Sequence, residues 1–84
     1  MLDFYRKQID EVDKQIIQLL AKRFEIVKKI WEWKKENNLS PLQPGRWKKV
    51  LESRKNLAKQ YWINPDLIEK IWDLIHKEAL NIEK

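Results

Sequence analysis

Apolar residues recur at threes and fours from Asp3 to about Asn37, with almost no helix breaker between them. The stripe reads Ile9, Val12, Ile16, Leu19, Leu20, Ile26, Val27, Ile30 and Trp33, the spacing of one face of an α-helix. Asn37-Asn38-Leu39-Ser40-Pro41 ends it, because Pro41 pushes Ser40 out of helical geometry. A second helix begins near Pro44-Gly45 and runs to about Tyr61, striped by Trp47, Val50, Leu51, Leu57, Ala58 and Tyr61. Asn64-Pro65-Asp66 is a third start, with Asn64 as cap and Pro65 as first helical residue. From there to the last residue, Ile68, Ile71, Trp72, Ile75, Ala79 and Ile82 share a face. The pattern predicts one all-α domain over residues 1–84, with one long helix, two shorter ones and no strands.

The long stripe carries cations where core residues belong. Its next slot after Leu20 is Arg23. Lys34 lies eleven residues on, about 20° from Arg23 around the helix at ~100° per residue. Arg6 sits on the stripe's edge near the start. A buried cation must be paired, and no acidic side chain of this helix reaches Arg23 from the same face. The pairing anion is therefore sought in a ligand. Arg54 also breaks a stripe, between Val50 and Leu57. It reads as structural, paired with a carboxylate such as Asp13 or Glu52.

The long helix spans about 50 Å at 1.5 Å per residue, and each later helix about half that. The short pair cannot cover the long stripe, so a lone chain would leave a large apolar patch in water. A second copy with the long helices antiparallel covers it. The same assembly solves a problem of reach. Arg6 stands seventeen residues, about 25 Å, from Arg23 along one helix, but Arg6 of one chain can face Arg23 and Lys34 of the other.

Composition narrows the chemistry. Charged residues make up 37% of the chain, and Lys plus Arg exceed Asp plus Glu by 18 − 13 = 5. That excess suits an anionic partner, nucleic acid or small acid alike. Arg23 and Lys34 lie along an apolar wall instead of an exposed basic face, and no nucleic-acid-binding motif is present, which argues against nucleic acid. There is no cysteine and one histidine, leaving little for a metal site. No apolar run approaches membrane-spanning length and no signal peptide is evident, so a soluble cytoplasmic protein is expected.

The ordered run Arg6-x-x-Ile9-Asp10-x-x-Asp13, Leu19-Leu20-Ala21-Lys22-Arg23, Lys34, Gln43-x-x-Arg46 and Ile75-His76-x-Glu78 resembles the all-helical (AroQ-type) chorismate mutases. The Gln43-x-x-Arg46-Trp47 and Ile75-His76-x-Glu78 segments look most like mutase domains fused to a shikimate-pathway aldolase. The resemblance implies an intertwined helical homodimer with two active sites, converting chorismate to prephenate in aromatic amino acid biosynthesis. It implies no cofactor, metal, nucleic acid or membrane. Arg6 from the partner chain, Arg23 and Arg46 match the family's three arginines, and Lys34 its lysine. Arginine grips a carboxylate through a planar fork, and chorismate carries two. The rearrangement is pericyclic, so the enzyme holds a compact conformer and stabilises charge as the ether bond breaks.

The chain departs from the family at several of the positions the resemblance makes functional. Gln43 and Trp47 stand where acidic residues contact the substrate hydroxyl; Gln43 can still hydrogen-bond it, and Trp47 can only donate. Ala79 replaces a common serine. Glu83 replaces a common glutamine that donates to the ether oxygen, a task it can perform only when protonated. Trp31 stands where glycine is favoured and is expected to narrow or shield the pocket. Taken one by one, Arg23 also fits a snorkelling seam residue, Lys34 and Arg46 fit solvated surface, His76 fits a structural histidine and the tryptophans fit core. Two rivals share the fold: an isochorismate-pyruvate lyase, and a mutase-like dimerisation or regulatory module without turnover.

Overall fold

The computed structural model describes residues 1–40 and 44–83. Three helices follow one another: α1 (Leu2–Glu36), α2 (Pro44–Gln60) and α3 (Pro65–Ile82). No strand occurs among the described residues. The expected boundaries hold to within about a residue at each described end, while Gln43 and Lys84 lie outside the described residues.

Each stop has a local cause. Past α1, Asn38 takes a left-handed φ of 55°. Its N–H donates to the Lys35 carbonyl at 3.3 Å and the Leu39 N–H donates to the Lys34 carbonyl at 2.8 Å. This paired closure satisfies carbonyls that a helix end leaves open. The Asn37 amide adds a bond to the Trp33 carbonyl at 2.8 Å. The helix therefore ends on asparagine geometry, before Pro41 is reached. At the start of α3, the Asn64 side chain accepts from the Asp66 N–H at 2.9 Å, and Pro65 occupies a position where a missing N–H costs nothing.

The end of α2 repeats the closure with an unsuitable residue. Trp62 has φ 61°, and the Trp62 and Ile63 N–H groups donate to the Lys59 and Ala58 carbonyls at 3.3 and 2.9 Å. An L-residue there costs roughly 1–2 kcal/mol, and the indole, 96% exposed, returns no packing within the chain. Trp62→Gly is expected to raise stability by about 1 kcal/mol in denaturant titration. Destabilisation instead would mean that the indole is buried in an assembly.

Side-chain pairs give the helix directions. Trp47 near the start of α2 stacks on His76, and Lys55 lies 3.8 Å from Glu69, so α2 and α3 are antiparallel. Lys34 near the end of α1 meets Glu83 at the end of α3, so α3 runs with α1 and α2 against it. Val50, Ala58 and Ile75 form the buried apolar core among the described residues. It lies between α2 and α3; α1 buries none of its residues.

The chain exposes 7236 Å², against about 5,400 Å² for a compact monomer of 10.4 kDa. Much of the excess is apolar and lies on the first half of α1, where Tyr5, Ile9, Val12, Ile16 and Leu19 are each about half exposed or more.

Candidate active site

The cationic positions of the long stripe come together with the other two helices in one cleft of about 310 Å³. Helix α1 contributes Arg23, Val27, Ile30 and Lys34, a run at i, i+4, i+7 and i+11 that keeps one face toward the cleft. Helix α2 contributes Arg46, Trp47 and Val50, and α3 contributes His76, Ala79, Leu80 and Glu83. The antiparallel course of α2 sets its first turn opposite the last turns of α3, so residues far apart in sequence share one wall. The volume falls within the range of small-molecule clefts, about 300–1,000 Å³.

Charge is concentrated at one end. The Lys34 ammonium lies 3.7 Å from a Glu83 carboxylate oxygen, and the two side chains are only 15% and 9% exposed. The separation is that of an ion pair, longer than a hydrogen bond. Glu83 is held there by the last turn, its N–H donating to the Ala79 carbonyl at 3.1 Å. Arg23 is partly buried in the middle of the wall. Burial pulls its pKa below the usual guanidinium range, and Arg54 and then Arg46 add like-charge repulsion. A guanidinium stays protonated regardless, so the repulsion is a cost that a bound carboxylate would relieve.

The opposite wall is aromatic. Trp47 and His76 stack with ring centroids 4.0 Å apart and planes 12° from parallel. His76 read from sequence as structural; its place in the cleft was missed, because nothing in the spacing shows what stacks on a lone histidine. Val27, Ile30, Val50 and Leu80 line the same cleft and were read only as core or left unassigned. Trp31 is not among the lining residues; the Lys35 ammonium sits 5.5 Å from its ring centroid.

The remaining expected residues stand elsewhere. Gln43 is outside the described residues. Arg6 is far along α1, with its side chain 66% exposed and 3.8 Å from Asp3. Arg54 makes no ion pair with Asp13 or Glu52; its contact is with the Ser53 hydroxyl at 3.4 Å. The sequence marked Arg54 as an interruption correctly, but which carboxylate a long side chain meets depends on packing direction. Among the described residues no group of three or more His, Cys, Asp or Glu side chains is placed to hold a metal ion, and no helix is long and apolar enough to cross a membrane.

Comparison with known proteins bears on what this cleft is for. The chain is 38% identical over 78 residues to the T-protein of Enterobacter agglomerans, covering 93% of this chain and 21% of that protein. It is 38% identical over 80 residues to the bifunctional chorismate mutase/prephenate dehydratase of a Buchnera aphidicola strain, 95% of this chain and 21% of that protein. These relatives are thus about five times as long as the matched stretch. A chorismate mutase of Methanocaldococcus jannaschii is 30% identical over 77 residues, 89% of this chain and 78% of that protein. Residues 5–84 match the family described as chorismate mutase type II, and with three helices converging on a cationic cleft the chain belongs to that family.

Proposed function

We propose that this chain is an isomerase that rearranges chorismate to prephenate in the cleft between its three helices. The observation that carries the reading is the convergence of Arg23, Lys34 and Arg46 on one small cleft, in a chain of this family. Arg23 and Arg46 hold the substrate carboxylates. Lys34 stabilises the negative charge that builds on the ether oxygen as the C–O bond breaks. Val27, Ile30, Val50 and the Trp47–His76 stack confine the rest of the molecule in its compact chair-like form. Gln43 and Trp47 meet the substrate hydroxyl, and Ala79 leaves room beside it.

The assembly belongs to the same proposal. The exposed apolar half of α1 and the excess surface of roughly 1,800 Å² over a compact monomer support an intertwined homodimer, more surface than a standard interface takes from one partner. An antiparallel partner brings its Arg6 to the mouth of the cleft as the third arginine. A soluble, cytoplasmic enzyme associated with another shikimate-pathway activity completes the reading. The two segments around Arg46 and His76 favour an aldolase, whereas a relative's name joins mutase to prephenate dehydratase.

Glu83 offers a direct test of the contact to the ether oxygen. Beside Lys34, an ionised Glu83 competes with the ether oxygen for the ammonium; a protonated one donates to that oxygen. Glu83→Gln supplies a permanent donor of similar shape and is expected to raise turnover at neutral pH. A variant no faster than the unaltered protein, together with unchanged turnover on truncation after Ile82, would place Glu83 outside the chemistry. The function itself is tested by comparing kcat/KM for chorismate and isochorismate. Faster rearrangement of chorismate supports the reading, and pyruvate release from isochorismate as the faster reaction overturns it.

A further inference from the structure

Arg54 is a partly buried cation with no carboxylate within ion-pair distance among the described residues. It repels Arg23 more than Arg46 does. It also stands at the edge of an apolar groove formed by Leu57, Ala58, Tyr61, Ile68 and Trp72, between the far half of α2 and the first half of α3. A charge in that setting calls for an anion from outside the chain. The first half of α1 offers one beside an unpartnered apolar face: Asp13 is exposed and has no ion pair among the described residues.

Helix geometry connects the two. Asp13 follows Arg6 by seven residues, so both lie in one row, about 20° apart around the helix and about 10.5 Å apart along it. Arg54 follows Arg46 by eight residues, about 12 Å along α2 and about 80° around it, an offset that the long arginine side chain spans. Helix α2 runs against α1, so in an antiparallel dimer the partner's α1 runs in the same direction as α2. Placing the partner's Arg6 at the Arg46 mouth of the cleft then carries the partner's Asp13 down to Arg54. In the same register its Ile16, Leu19 and Leu20, three to seven residues beyond Asp13, are laid along the apolar groove, whose Leu57 and Tyr61 stand three and seven residues beyond Arg54.

We infer that Arg54 pairs with the partner's Asp13, and that this pair fixes the register in which the partner's Arg6 enters the site. The inference rests on the shared-site dimer proposed above. Arg54 and Asp13 act as positioning residues, fixing which parts of the two chains meet.

Charge reversal in two separate chains tests the pair. In the Arg54→Glu homodimer two carboxylates face each other at each pairing point, and in the Asp13→Lys homodimer two cations do. A dimer of one chain of each kind has one pairing point with opposite charges restored in reversed order and the other with the original residues. Native mass spectrometry of an equimolar mixture is expected to show a ratio of heterodimer to homodimers on the order of tenfold or more above the statistical ratio, because like charges at an interface are strongly disfavoured. Rising salt should erode that preference. A statistical mixture overturns the pair and leaves the dimer standing, provided the unaltered chain sediments as a dimer. A monomeric unaltered chain overturns both. Should either reversed chain fail to fold, a double-mutant cycle of Arg54→Gln and Asp13→Asn on dimer dissociation replaces the mixture. Non-additive weakening supports the pair and additive effects overturn it.

Discussion

Lys34→Ala is expected to lower kcat a hundredfold or more while leaving the helix content unchanged. The side chain is held in the cleft beside Glu83 and is only 15% exposed, so its charge is weakly screened. Removing one charge-assisted contact to a transition state costs about 3 kcal/mol or more, and each 1.36 kcal/mol is about a tenfold change in rate. The fold should survive, because Lys34 contributes little apolar packing and α1 buries no residue in the chain's core. The variant does leave Glu83 without this partner, so a modest loss of stability is expected alongside. Circular dichroism and single-turnover kinetics separate the two effects. Turnover within a few-fold of the unaltered protein would remove Lys34 from the mechanism.

Arg6→Ala and Arg23→Ala chains are each expected to be nearly inactive, and to recover activity when mixed. In the proposed dimer one site takes Arg23 from its own chain and Arg6 from the other. A heterodimer of the two variants therefore holds one intact site and one doubly damaged site. With random exchange half the dimers are mixed, so about one quarter of the unaltered activity per chain should return. The effect is large because it is read against two nearly silent parents. Arg6 within its own chain points to the same experiment: it is exposed and contacts only Asp3 at 3.8 Å among the ion pairs of the described residues. If the mixture stays as inactive as its components, each site belongs to one chain and Arg6 plays no part in it.

The two predictions differ in how far the sequence alone supports them. Arg23 and Lys34 stood out because they occupy slots of an apolar stripe, and the structure sets both against the same cleft. Helix ends were legible in position: Asn64-Pro65 carries its geometry in the residues themselves, whereas α1 stops on the left-handed Asn38 and not on the Pro41 to which the pattern assigned the stop. The Trp47–His76 stack was not legible. It depends on the register of two antiparallel helices, which local periodicity does not specify. Arg54 shows the intermediate case. Its misfit in an apolar stripe was visible, but which charges it faces follows from how the three helices pack, and local periodicity does not specify that. The left-handed Trp62 was equally hidden, because tryptophan gives no turn signal of the kind that glycine or asparagine gives.

The central claim is that the three-helix cleft of this family member rearranges chorismate. Proton NMR of purified protein with chorismate, run beside the Lys34→Ala variant, measures it without a coupled reporter. The account predicts that chorismate resonances give way to those of prephenate, with no other product and no added cofactor, and that the variant leaves chorismate intact over the same interval. Chorismate that persists with the folded, unaltered protein at the uncatalysed rate would contradict it, as would conversion that Lys34→Ala leaves undiminished.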